Sequence, residues 1–74
     1  MTKTLTLSHL ARASCTLQIA AQDSGASHLL LQQLEGEMSK RVTEARASGA
    51  TDHEVEASMV TGAREAYALQ RRAA

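Results

Sequence analysis

The chain contains no Pro, no Phe and no Trp, with a single Tyr67, a single Cys15 and only four Gly. Each shortage excludes something. One Cys cannot close a disulfide within the chain, and no His/Cys cluster has the spacing of a structural zinc site. The longest uninterrupted apolar run is Ala66–Leu69, with Leu29–Leu31 the longest of bulky aliphatics, far below the roughly 20 residues of a membrane span. Met1-Thr2-Lys3-Thr4-Leu5-Thr6-Leu7 lacks the apolar stretch of about 7–15 residues that marks a secretory signal. These absences set the expectation of a cytoplasmic protein, with which an unpaired Cys agrees. Excess charge is missing too: eight Lys plus Arg balance eight Asp plus Glu. Residues 1–22 carry +2, and 23–50 and 51–74 carry −1 each. Adjacent basic residues come only in pairs such as Arg71-Arg72, so the basic face that nucleic-acid binding by counterion release needs is not formed.

What is present is small and aliphatic. Of the 74 residues, 14 are Ala, and Leu, Ile, Val, Met and Tyr together number 17. This length is one small domain, too short for a multidomain enzyme with its own cofactor fold. A core of this size seldom secures more than roughly 3–5 kcal/mol alone. With disulfide and zinc excluded, the remaining support is association with another chain, either a protein partner or a second copy.

Ala, Leu, Glu, Gln, Arg and Met favour helix almost throughout. Two breaker clusters, Gln22-Asp23-Ser24-Gly25-Ala26-Ser27 and Ala47-Ser48-Gly49-Ala50-Thr51-Asp52, divide the chain into helices of about 7–22, 27–47 and 52–72. The second boundary is the better signalled. Gly49 can take the left-handed conformation that ends a helix, and Thr51-Asp52-His53-Glu54 is a capping box. Asp52, Glu54 and Glu56 at the start of the third helix and Arg71 and Arg72 at its end match the helix dipole.

In that third helix Val55, Met59, Gly62, Ala66, Leu69 and Ala73 recur at heptad spacing. Gly62 costs roughly 1 kcal/mol of helix propensity relative to Ala, so its place in the seam predicts another helix approaching closely there. In the second helix Leu30, Leu31, Leu34, Met38, Val42 and Ala45 form a stripe expected to face the third helix. Glu37 and Arg41 stand at i and i+4 on its solvated side. The first helix is the weakest, with Leu7, Leu10, Leu17, Ala20 and Ala21 on one face and Thr6 or Ser8 as cap. Alternation in Thr4-Leu5-Thr6-Leu7 also permits an extended start. The expected fold is therefore all-α, an antiparallel helical hairpin with an additional short N-terminal helix. Such a hairpin leaves Leu29, Leu30, Val60 and Tyr67 off its seam, to be covered by the first helix or a partner. Tyr67, the only aromatic, is the candidate anchor. Met59 and Leu69 are candidates shared between the partner surface and the hairpin core.

Catalytic constellations do not assemble on this sequence. Cys15 and His9 have no protease-like context. Asp52-His53-Glu54 resembles a catalytic trio only in writing, because neighbouring helical side chains point about 100° apart. His28 and Gln32 lie a turn apart but lack further ligands, and no glycine-rich phosphate loop is present. No enzyme activity, metal or cofactor is expected. Ala20 through Ser27, followed by Leu31 and Leu34, also permits a helix-turn-helix, with Gln32 and Gln33 suited to adenine. Ser24 in place of a buried apolar residue, acidic Glu35 and Glu37, and the absent positive charge oppose that DNA-binding reading. A small phage- or plasmid-encoded inhibitor acting by protein binding is a further alternative.

Leu31-Gln32-Gln33-Leu34-Glu35 in an amphipathic helix, the turn Ala47-Ser48-Gly49-Ala50, and a capped helix through Arg64-Glu65-Ala66-Tyr67-Ala68-Leu69 give Leu29 to Gln70 a familiar layout. It resembles the small YscE-type co-chaperones of bacterial type III secretion systems. The resemblance implies a helical hairpin that binds a helical-repeat chaperone and, with it, holds the needle subunit monomeric in the cytoplasm. The third helix here is poorer in aromatics and the tail richer in Ala than in that family.

Overall fold

The computed structural model describes residues 2–73, and among them three helices and no strand: α1 Lys3–Gln22, α2 His28–Ala47 and α3 Asp52–Ala73. Local sequence explains each boundary. Thr2 caps α1, its hydroxyl accepting from the Leu5 amide at 3.2 Å. Asp23 closes the first turn by accepting from the Gly25 amide at 2.9 Å, and Ser27 caps α2 by accepting from the Leu30 amide at 3.1 Å. At the end of α2 the Ala50 amide donates to the Ala45 carbonyl and the Gly49 amide to the Arg46 carbonyl, each at 3.0 Å. This is a Schellman motif with Gly49 at φ 96°, a conformation that favours glycine. The predicted capping box follows: the Glu54 amide donates to the Thr51 hydroxyl at 3.1 Å, and the Thr51 amide donates to the Glu54 carboxylate at 3.0 Å.

The N-terminal helix departs from expectation. It is 20 residues long, the same as α2, and starts at Lys3, not near residue 7. Thr6 is not its cap but a fully buried residue within it, donating its hydroxyl to the Lys3 carbonyl at 2.8 Å. Thr4 to Leu7 is helical, not extended. The Thr2 cap with no breaker behind it is sufficient cause.

Helix α1 is also the packing centre. It lies close against both α3 and α2, while α2 and α3 touch little. The α2 stripe is half-buried at Leu31, Leu34, Met38 and Val42 and buried at Ala45, but the helix it meets is chiefly α1, and Leu30 is exposed. Helices α1 and α3 run parallel. Lys3 pairs with Glu54 at 3.0 Å, the Ser58 hydroxyl donates to the Leu7 carbonyl, and the Ser14 hydroxyl donates to the Met59 carbonyl at 2.7 Å. Gly62 is where they come closest: a Cβ there would stand 2.1 Å from the Ala11 carbonyl oxygen and 2.8 Å from the Ser14 Cβ. The close approach inferred from Gly62 is real, and α1 is the helix that makes it.

Leu10, Ala45 and Val55 form the core, with Leu7, Met38, Val42, Ala50 and Met59 packed around them. These residues come from the first half of α1, the second half of α2 and the first half of α3, with Ala50 in the turn between the last two. The core therefore occupies the end of the molecule that carries the Ser48–Thr51 turn. The α3 seam is buried at Val55, Gly62 and Ala66, but Leu69 and Ala73 are exposed. They lie beyond the Gly62 contact, where α1 is close to its end.

Candidate protein-binding surface

The opposite end collects the last turns of α1, the first of α2 and the last of α3, and there the apolar side chains are wet. Ile19, Leu29, Leu30, Tyr67 and Leu69 are all exposed, Leu29 at 64% and Tyr67 at 59%. Val60, midway along α3, is exposed as well. Of the residues singled out from sequence, Leu29, Leu30, Val60 and Tyr67 are thus uncovered, and α1 does not shield them. Leu69 belongs with them and not with the core, whereas Met59 packs against the core. Pattern reading overlooked Ile19. It stands two positions from Leu17 and therefore cannot share its helical face, which was the available signal.

Because α2 and α3 splay, an open cleft of about 550 Å³ lies between them. Ser14, Leu17 and Gln18 of α1 contribute to it, with Met38 on α2 and Met59 and Val60 on α3 among its other linings. At its closed end Arg46 pairs with Asp52 at 3.2 Å. A three-helix unit with such a cleft has the form of an incomplete bundle, in which a further helix would bury Leu17, Met59 and Val60. Outside the cleft, the Arg71 guanidinium sits 5.8 Å from the centre of the Tyr67 ring. That contact stiffens the only aromatic without burying it.

Among the described residues, the polar groups singled out from the sequence are not brought together at one place. Burial pushes the Cys15 thiol above its ordinary value and the Glu65 carboxylate adds to the shift, the reverse of nucleophile activation. His9, six residues earlier on the same helix, is about 9 Å away along the axis. Arg41 is held between Glu37 at 2.7 Å and Glu44 at 3.1 Å, so its charge is engaged within α2. His28 shares a 3.2 Å contact with Gln32. Among the described residues no group of three or more His, Cys, Asp or Glu could hold a metal ion, and no helix is long and apolar enough to cross a membrane.

Comparison with protein families, curated proteins and solved structures gave no match to this chain.

Proposed function

We propose that this chain is a small non-enzymatic helical adaptor that stabilises a partner protein by lending it apolar helix surface. One observation carries the reading: the cluster of Leu10, Ala45 and Val55 lies towards one end, while Leu29, Leu30, Tyr67 and Leu69 stand exposed towards the other. Exposed apolar side chains concentrated at one end mark candidate association surfaces, here on more than one face, since Tyr67 and Leu69 stand two positions apart on α3. Binding would cover Leu29, Leu30 and Leu69, with Val60, Tyr67 and the Met59 side of the cleft completing the contact.

Within this reading, α2 and α3 act as the antiparallel arms of a hairpin braced by α1. The resemblance of the sequence to type III secretion co-chaperones supports this reading, and the proposed setting is the cytoplasm. Needle subunits polymerise through exposed apolar helices, and a chaperone complex prevents this by covering them. A small chain with surplus helix surface suits that task without chemistry of its own. The DNA-binding alternative draws no support from the packing. Leu10 shares the core cluster with Ala45, against which Val42 packs, and six residues further along α1 Thr16 borders the same cleft as Leu34. The two helices therefore lie side by side and do not cross steeply.

The test is co-expression with the needle subunit and helical-repeat chaperone encoded by the same genome. A soluble complex containing this chain and a monomeric needle subunit is expected, and Leu29→Glu with Leu30→Glu should disrupt it. A needle subunit that polymerises as readily with the chain present would sink the proposal.

A further inference from the structure

Helix α3 carries a second stripe besides the seam it presents to α1. Glu56, Val60, Ala63, Tyr67 and Arg71 follow at intervals of 4, 3, 4 and 4 residues, which places them on one helical face. All are exposed except Ala63, which is half-buried. Val55, Gly62 and Ala66 occupy the inward side, so the described residues leave this stripe largely uncovered, its Glu56, Val60 and Ala63 part forming the α3 wall of the cleft.

The stripe is complementary to itself. Glu56 and Val60 stand as far before the midpoint between Ala63 and Arg64 as Arg71 and Tyr67 stand after it. A second α3 laid antiparallel about that midpoint therefore sets Val60 against the partner copy's Tyr67, and Glu56 against the partner copy's Arg71. Both contacts occur twice, as a two-fold interface requires. Charge selects this direction. Asp52, Glu54 and Glu56 make the first half of α3 acidic, and Arg64, Arg71 and Arg72 outweigh Glu65 in the second half. An antiparallel pair opposes unlike halves and opposed dipoles, whereas a parallel pair would set like on like. Among the described residues neither Glu56 nor Arg71 is in a salt bridge; those present join Lys3 to Glu54, Arg41 to Glu37 and Glu44, and Arg46 to Asp52. Glu56 makes no ion pair, and Arg71 is held only over the Tyr67 ring, so each can still meet a charge on another chain. Arg64 falls beside the two-fold axis at the edge of the stripe, where its exposed side chain can turn to solvent.

We infer that the outer face of α3, from Glu56 to Arg71, is a self-association surface on which a second copy of this chain docks antiparallel. This rests on the reading of the exposed apolar residues as an association surface, and it assigns the occupant of the α3 part. The partner copy's α3 lies along the α3 wall of the cleft, next to Met59 and Val60. Ala63 beside the axis allows the two backbones to come close, as small residues do at helix crossings.

Analytical ultracentrifugation of the full chain across low micromolar to about 500 µM tests this. A reversible monomer–dimer equilibrium that weakens with added salt is expected. Glu56→Arg and Arg71→Glu should each raise the dimer dissociation constant about tenfold, because each creates two like-charge contacts. The double variant, with the pair exchanged, should return to within about threefold of the original value. Circular dichroism verifies that all three variants are helical; these are exposed residues on a helix that remains packed through its other face. A chain monomeric throughout the range overturns the inference. So do single reversals without effect, or a folded double variant that does not recover. A strictly monomeric chain that still binds a needle chaperone would refute this pairing and leave the adaptor reading standing; a charge-dependent dimer without any such partner would do the reverse.

Discussion

Replacing Gly62 with Ala adds one methyl group, and its consequence can be worked from the structure. The new carbon would lie 2.1 Å from the Ala11 carbonyl oxygen, 2.8 Å from the Ser14 Cβ and 2.9 Å from the Cys15 amide nitrogen. Two of these neighbours are backbone, so no side chain can swing aside. A carbon and an oxygen need about 3.3 Å, which means α1 and α3 must separate by about 1 Å. Overpacking of this kind costs about 1–3 kcal/mol. Separation also stretches the bonds from Ser14 to the Met59 carbonyl and from Ser58 to the Leu7 carbonyl, each worth about 1 kcal/mol. Against this stands a gain of about 1 kcal/mol in helix propensity. The net loss is about 2–4 kcal/mol, a large share of the roughly 3–5 kcal/mol a chain of this size secures. Gly36 provides the control. It lies within α2, and a Cβ there would meet nothing within 4 Å, so Gly36→Ala should stabilise by about 0.5–1 kcal/mol. Thermal melts followed by circular dichroism should place Gly62→Ala at least about 10 °C below the parent and Gly36→Ala about 4 °C above it. Equal or opposite shifts for the two variants would refute the packing of α1 on α3 described above.

Other expectations follow from the same structure. Thr51→Ala removes the cap of α3 and should lower unfolding free energy by about 1 kcal/mol in urea melts. The Thr51 amide, with Lys3, holds the Glu54 carboxyl below its ordinary value of 4.5. The folded value is the lower one, so the ionised carboxylate stabilises the fold. That contribution is complete above the ordinary carboxylate range and is lost as pH falls through the folded value. Glu54→Gln should flatten this acid limb of a stability profile, and an unchanged limb would exclude Glu54 as its source. The Cys15 thiol, raised by burial and by Glu65, should be alkylated more slowly than free cysteine at pH about 8, and should speed up once the chain is unfolded. Tyr67→Ala should weaken dimer and partner contacts without altering the helical spectrum, since the ring is exposed; a lost spectrum would place Tyr67 in the core instead.

The parts of the fold written in local chemistry were legible in the sequence. Gly49, Thr51 and Glu54 announce their turn and cap because the signal is confined to a few adjacent residues. Gly62 announced a close helix contact, since a mid-helix glycine on an apolar seam has little other use. The importance of α1 was hidden. Two of its three buried positions are Thr6 and Ser14, while Leu5 and Ile19 point outward, so its apolar pattern misstates its inner face. Thr6 satisfies its hydroxyl within its own helix, whereas Ser14 bonds across to α3; from sequence both look like surface residues. For the same reason the α2 and α3 stripes looked made for each other, when α1 takes most of both. The exposed apolar positions were easier to read, because Leu29, Val60 and Tyr67 fall off every seam whichever helix is central, and Leu30, although on the α2 stripe, is exposed with them. Leu69 misled, since it keeps heptad spacing past the point where α1 still covers it.

The central claim is that this chain keeps its core at one end and leaves the other for a second protein. Amide hydrogen exchange, resolved by residue on the chain alone at low micromolar concentration, tests it most directly. Strong protection is predicted around Leu10, from Val42 to Ala45 and from Val55 to Gly62. Exchange should be fast from His28 to Leu31 and from Tyr67 to Ala73. Uniform protection along all three helices would contradict the account, because the exposed end would then be stable without a partner.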